Sequence, residues 1–362
     1  MSQEASLERE IAELSKGVDA LKAAVGRRFL GHAGVVEELL VALLARGHVL
    51  LEGAPGLGKT TLAKSLAAGL DLEFGRVQCT PDLMPADVLG TRILEESARD
   101  DRRFVFQRGP IFCHVLLADE INRATPRTQS ALLEAMQEHQ VSVEGTTHVL
   151  AEPFVVLATQ NPVEFEGTFS LPQAQLDRFL LRVRIGYPAE EAERRIARRY
   201  RSEAEPLDAI RPIADGAAIL ALRDEVRAVT VSDEVEAYAV AIVRATRAHP
   251  DLQLGGSPRS SVALYRAAQA AALLDGRSFA LPDDVRDIAP AVLTHRLVVD
   301  LDRSLRGATA EQAMAAILAS VPAPPLTPPG DSPAGTTAAS TTASTAADAP
   351  AAGDPDLRAG LG

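Results

Sequence analysis

Residues 53 to 66 read GAPGLGKTTLAKSL, and within them Gly53, Gly58, Lys59 and Thr60 keep the spacing G-x-x-x-x-G-K-[ST]. An apolar run, HVLLE, precedes this stretch and a helical pattern follows it, which is the setting a phosphate-binding loop requires. The backbone of Gly53, Ala54, Pro55, Gly56, Leu57 and Gly58 can turn its N–H groups inward around a β-phosphate. Lys59 then brings positive charge to the β and γ oxygens, the hydroxyl of Thr60 is a ligand for Mg²⁺, and Thr61 sits beside it. A helix beginning near Lys59 adds the positive end of its dipole. The chemistry expected is binding of Mg·ATP.

Hydrolysis needs a carboxylate, and HVLLADEINRA supplies two, Asp119 and Glu120, after four apolar residues and a small one. A strand delivering Asp119 to the sheet edge beside the loop would let it hold Mg²⁺ through water, leaving Glu120 to orient and deprotonate the attacking water. The alternative is an exposed turn or a helix cap. In FVVLATQNP, Asn161 ends another apolar run, where its amide could bond the γ-phosphate or place the water; an Asn before Pro is equally an ordinary turn residue.

The elements that must position these groups are legible around them. The runs HVLLEG, EFGRVQC, HVLLADE, FVVLATQN and FLLRVRIG read as strands of a mostly parallel sheet, with helical segments between them. This is a three-layer α/β sandwich. Residues 4 to 46 read as two amphipathic helices broken at 26 to 32. From about 190 to 320 the pattern is helical, with Ser, Asp or Pro at several helix starts and no comparable strand runs. The expected organisation is an α/β ATPase core with N-terminal helices over 1–187, a separate all-α domain over 188–320 and a disordered Ala/Thr/Pro-rich tail over 321–362.

Composition narrows the partners. The chain has 362 residues, 46% of them hydrophobic and only 4% aromatic, so Leu, Val, Ile and Ala must build the core. A net charge of −12 argues against general adhesion to nucleic acid or anionic membrane. No apolar run reaches membrane-spanning length and the amino end has no secretion pattern, so no membrane insertion and a cytoplasmic location are expected. Cys79 and Cys113 read as buried free thiols. The histidines show no metal-binding spacing.

Taken together, GHVLLEGAPGLGKT, QCTPDLMPADVLGT, FQRGPIF, VLLADEINRA, TQSALLEAMQEHQV, FVVLATQNP, GTFSLPQAQLDRFLLRV and GGSPRS resemble the MoxR branch of the AAA+ ATPases, in order from about residue 25 to about 300. The resemblance implies a P-loop AAA+ fold with an all-α lid. It makes Lys59 and Thr60 the Walker A pair, Asp119 and Glu120 the Walker B pair, and Asn161 sensor 1. Arg178 in QLDRF matches the arginine pointed at a neighbouring subunit's γ-phosphate, with a surface pairing to Asp177 as the alternative. Arg259 in GSPRS matches sensor 2, acting either on its own nucleotide or on a neighbour's, and Arg123 competes for such a contact. Residues 81 to 112 would carry the helix-2 insert and 138 to 153 a hairpin.

The resemblance also implies a homo-oligomer, usually a hexameric ring, that couples ATP hydrolysis to chaperone-like remodelling, maturation or activation of a protein client, with a von Willebrand factor A domain protein as partner. Two alternatives stand beside it: a nucleic-acid motor of the helicase-like helix-2-insert branch, which the acidic balance opposes, and a nucleotide-gated non-hydrolytic scaffold, which Glu120 opposes.

Overall fold

The five apolar runs pair as one sheet in the computed structural model, which describes residues 17, 19–26, 33–96, 102–161, 167–199 and 212–325. In chain order its strands are β1 (Val49–Glu52), β2 (Phe74–Gln78), β5 (Val115–Asp119), β8 (Val155–Gln160) and β9 (Leu181–Arg184). They lie in the order β2-β5-β8-β1-β9, and every pairing is parallel rather than mostly so. Parallel strands need crossovers, and the helices Lys59–Gly69 and Pro126–Glu138 lie on the stretches that follow β1 and β5.

Side chains alternate across this sheet with period two. Val49, Leu51, Val115, Leu117, Val155 and Leu157 face one layer, while Leu50, Leu116, Ala118, Val156 and Ala158 face the other. All are buried, each contributing about 1.5–3 kcal/mol where the side chain is large. The second face is closed by Leu132, Leu133 and Met136 of the helix Pro126–Glu138. The first meets a larger cluster that runs without a break into the helices beyond residue 212. Those helices are Gly216–Ala228, Asp233–Ala248, Pro258–Leu274, Pro282–Leu293 and Ala310–Ser320. Asp215, Ser232 and Thr309 cap three of them by accepting from backbone N–H groups, and Pro258 and Pro282 open two more.

Two hairpins stand off the sandwich. β3 (Gly90–Glu96) pairs antiparallel with β4 (Arg102–Arg108) inside the expected insert, and β6 (Gln140–Val143) with β7 (Thr146–Val149) inside the expected 138–153 hairpin. The rings of Phe106 and His148 stack at 3.9 Å and join them.

The structure departs from the sequence reading in three places. The helical region holds a short antiparallel pair, Leu252–Leu254 with Val298–Val299, too brief to register as an apolar run. The sheet expected to be mostly parallel is parallel throughout. Helix Ala33–Leu44 packs on lid helices as well as on β9, so it bridges regions the sequence separates. The first helix of 4–46 is described only within 19–26, and nearly all of the expected disordered tail, from 326 on, lies outside the described residues.

Candidate active site

Three strands deliver the predicted groups to one edge of the sheet. Because β1, β5 and β8 are parallel, the residues after their last positions share the carboxyl edge: the loop 53–60 after β1, Asp119 and Glu120 at the end of β5, and Asn161 after β8. The strand carrying Asn161 lies between the other two. The loop has the conformation its glycines allow. Gly58 sits at φ 82°, in the left-handed region, as the residue before the helix Lys59–Gly69. A Cβ on Gly53 would meet the carbonyl oxygen of Ile185 at 2.5 Å.

Lys59 Nζ donates to the Gly53 carbonyl at 2.5 Å, back across the turn of its own loop. Burial lowers its pKa, and the charges of Asp119, Glu120 and Glu52 oppose that shift, keeping a cation beside two carboxylates. Asp119 Oδ1 accepts from the Thr159 hydroxyl at 2.7 Å, and Oδ2 accepts from Arg76 at 2.8 Å. Glu120 accepts from Gln78 Nε2 at 3.1 Å and from Arg123 Nη1 at 3.2 Å, both on Oε2. Its backbone occupies the left-handed region at φ 57°, fixed by its N–H donating to Thr159 at 2.8 Å. A non-glycine residue held there stores on the order of 1–3 kcal/mol of strain, typical of functional turns. Asn161 is 6% exposed.

Arg76, Gln78 and Thr159 are the site residues that sequence reasoning passes over. The signal for the first two is positional: residues 76 and 78 share a face of the edge strand β2, and Gln78 is in register with Asp119. Arg123, read as a competing candidate for a trans contact, pairs with Glu120 within the protomer. The donor set suits Mg²⁺: a hydroxyl at Thr60 and a carboxylate at Asp119, already holding a cationic group, are hard oxygen ligands beside a phosphate cradle.

Arg178 and Arg259 are not brought to this edge. Arg178 precedes β9 as His48 precedes β1, so both belong to the opposite edge of the sheet. There Arg178, Arg259 and Arg266 line one depression with Asp177, His48 and His139. Asp177 does not neutralise Arg178. It accepts from Arg296 Nε at 2.8 Å, and among the described residues no carboxylate lies within ion-pair distance of Arg178, Arg259 or Arg266. His48 beneath them is buried and neutral, its pKa pushed down to about 4 by burial; its Nε2–H donates to the Met136 carbonyl at 2.9 Å and its Nδ1 accepts from Val156 N–H at 3.0 Å.

A group of four charges ties the carboxyl edge to the lid. Glu52, next to Gly53, lies 3.6 Å from Arg182 and 3.3 Å from Arg184, and both arginines also reach Glu311 of the helix Ala310–Ser320, at 2.7 and 2.5 Å. Both cysteines are free and buried, and burial pushes their thiols up to about 12.

Comparison with known proteins gives the family. Residues 48–181 match the ATPase family associated with various cellular activities (AAA), and residues 244–317 match the AAA lid domain. The chain is 39% identical to chaperone MoxR1 of Mycobacterium tuberculosis, over 88% of this chain and 84% of that protein. It is 44% identical to YeaC of Bacillus subtilis, over 83% and 92%, and 32% identical to protein MoxR of Methylorubrum extorquens, over 83% and 93%. A crystal structure of a candidate ATPase from Cytophaga hutchinsonii superposes with a TM-score of 0.83 at 36% identity, covering 90% of this chain and all of that one. With a parallel sheet whose carboxyl edge carries the P-loop and paired carboxylates, an AAA lid, and relatives of this similarity over most of their lengths, the chain belongs to the MoxR family of AAA+ ATPases.

Proposed function

We propose that the protein binds Mg·ATP at the carboxyl edge of its sheet and hydrolyses it in a ring, most simply a hexamer, whose active sites are each completed by a neighbouring subunit. The observation that carries this reading is the separation of the two half-sites: the P-loop and the carboxylates on one edge, and on the other an arginine-lined depression whose carboxylate, Asp177, is already engaged by Arg296. An uncompensated cluster of guanidinium groups in a chain of net charge −12 is poised for an anion, and a neighbour's γ-phosphate meets that need.

In this reading Lys59 leaves the Gly53 carbonyl for the β and γ oxygens, while the backbone N–H groups of 56–60 take the remaining phosphate charge. Bound Mg²⁺ would be held by Thr60 and Asp119 and would neutralise charge developing on the phosphate oxygens. Glu120 orients water and accepts its proton once Gln78 and Arg123 release it. Asn161 fixes the position of that water or of the γ-phosphate. Arg178 stabilises transition-state charge in trans. Because Arg259 shares its depression, we place its action in trans as well.

The work done with this energy is proposed to be remodelling, maturation or activation of a protein client, in the manner that the name chaperone MoxR1 gives its relative, together with a von Willebrand factor A domain protein in the cytoplasm. We place the boundary between core and lid near 187/188, with the tail beyond 321 outside both. The decisive experiment is complementation. Lys59→Ala retains Arg178 but has no nucleotide; Arg178→Ala retains nucleotide but no trans arginine. Each alone should be inactive, and mixtures should regain a measurable fraction of wild-type turnover. Mixtures inactive at every ratio would sink the shared site.

A further inference from the structure

Arg178 is carried by a four-residue turn, Asp177–Leu180, between the short helix Gln173–Leu176 and β9. That turn is gripped from the lid side by a buried arginine just beyond the helix Pro282–Leu293. Arg296, 5% exposed, donates from Nε to Asp177 Oδ1 at 2.8 Å, from Nη2 to the Phe179 carbonyl at 2.8 Å and from Nη1 to the Leu180 carbonyl at 3.2 Å, with a further bond to Val292 O. Its neighbour His295 meets the Phe179 carbonyl at 3.1 Å, and Gln173 donates back to the His295 carbonyl at 2.9 Å. Nη2 also donates to the Asp177 carbonyl at 3.5 Å, so four guanidinium hydrogens go to the turn that carries residue 178 and the fifth to Val292.

We propose that Arg296 is a positioning residue for Arg178: by anchoring Asp177 and Phe179 on either side of it, the lid of one subunit sets the direction in which that subunit's arginine reaches its neighbour's phosphate. The acid next to Arg178 is then explained. Asp177 is the lid's anchor, and its engagement by Arg296 leaves the Arg178 guanidinium without a competing local carboxylate. A planar, forked donor is needed to hold a carboxylate and two carbonyls together, which a lysine's single ammonium cannot reproduce. Lid docking and trans activation become one event, because any lid displacement that withdraws Arg296 frees the turn. This rests on the reading of Arg178 as a trans arginine.

The test uses the full-length protein with Asp177→Asn, Arg296→Lys and Arg296→Met, alongside Arg178→Ala. Binding of a fluorescent ATP analogue to dilute protomers should stay within about twofold of wild type for all four, while turnover falls tenfold or more. Mixing Arg296→Met with Lys59→Ala, whose trans arginine is intact, should restore turnover at the Arg296→Met nucleotide sites. The double variant Asp177→Asn/Arg178→Ala should be no slower than Arg178→Ala alone, since both lesions act through one group. Wild-type turnover in Asp177→Asn and Arg296→Met, or an independent further loss in the double variant, overturns the proposal while leaving Arg178 as the trans arginine. Failure of Arg178→Ala itself to lose turnover removes the underlying reading instead. Should Arg296→Met not fold, the near-isosteric Asp177→Asn, checked by thermal melting, carries the same comparison.

Discussion

The two edges of the sheet are built on opposite electrostatic plans. At the carboxyl edge every strong charge has a local partner: Lys59 bonds its own loop, Arg76 pairs with Asp119, and Arg123 with Glu120. At the amino edge Arg178, Arg259 and Arg266 converge with no carboxylate in ion-pair range among the described residues, Asp177 of the same depression being taken by Arg296, over a histidine kept neutral by burial. One edge balances its charges locally; the other gathers three arginines with no carboxylate in ion-pair range among the described residues. A protomer with both kinds of edge suits an assembly in which the second meets the first of the next copy.

The contrast can be broken most sharply at the carboxyl edge. Lys59→Ala should weaken ATP-analogue binding at least 100-fold in a fluorescence titration, whereas Glu120→Gln should bind normally and lose turnover by 100-fold or more. Equal turnover in Glu120→Gln and wild type would remove its role as base. At the other edge, Arg178→Ala should lose on the order of 100-fold in turnover with protomer binding intact, and Arg259→Ala should resemble it. If Arg259→Ala instead weakened binding to isolated protomers, it would belong to the carboxyl edge after all.

Proton linkage gives a third test. His48 titrates near its ordinary 6.5 when unfolded and at about 4 when folded, so its contribution to stability is complete above pH 6.5 and is lost as pH falls toward 4. His295, also buried and held well below the usual range, acts in the same direction. The His48 contribution is on the order of 3 kcal/mol, and His48→Gln should flatten the acid limb of a denaturation series. The smallest effect expected is at Arg76. Its pair with Asp119 is half-exposed and worth at most about 1 kcal/mol, so Arg76→Ala should lower the Mg²⁺ concentration needed for half-maximal nucleotide binding by up to about fivefold.

Much of this was legible in the sequence, for physical reasons that also mark where it stops. The phosphate loop is readable because its glycines answer local backbone demands, seen at Gly58 and Gly53. The sheet is readable because strands buried on both faces become continuous apolar runs. Strand order is not, since nothing local to FVVLATQN requires it to pair between β1 and β5. Arg76 and Gln78 were invisible because their role depends on register with a strand some 40 residues away. Asp177 is the clearest case: beside Arg178 in sequence it reads as its counter-ion, while its true partner, Arg296, is more than 100 residues distant.

Glu52 and Glu311 share Arg182 and Arg184, and the outer pair of that square, Arg184 and Glu311, stands about half in solvent. Screening lengths in cellular electrolyte are about 8 Å, so ambient ions compete with this fastening while barely touching the dry packing beneath it. Since Glu52 directly abuts the phosphate loop, the ionic composition of the medium becomes a dial on how firmly that loop's strand is tied to the helix Ala310–Ser320.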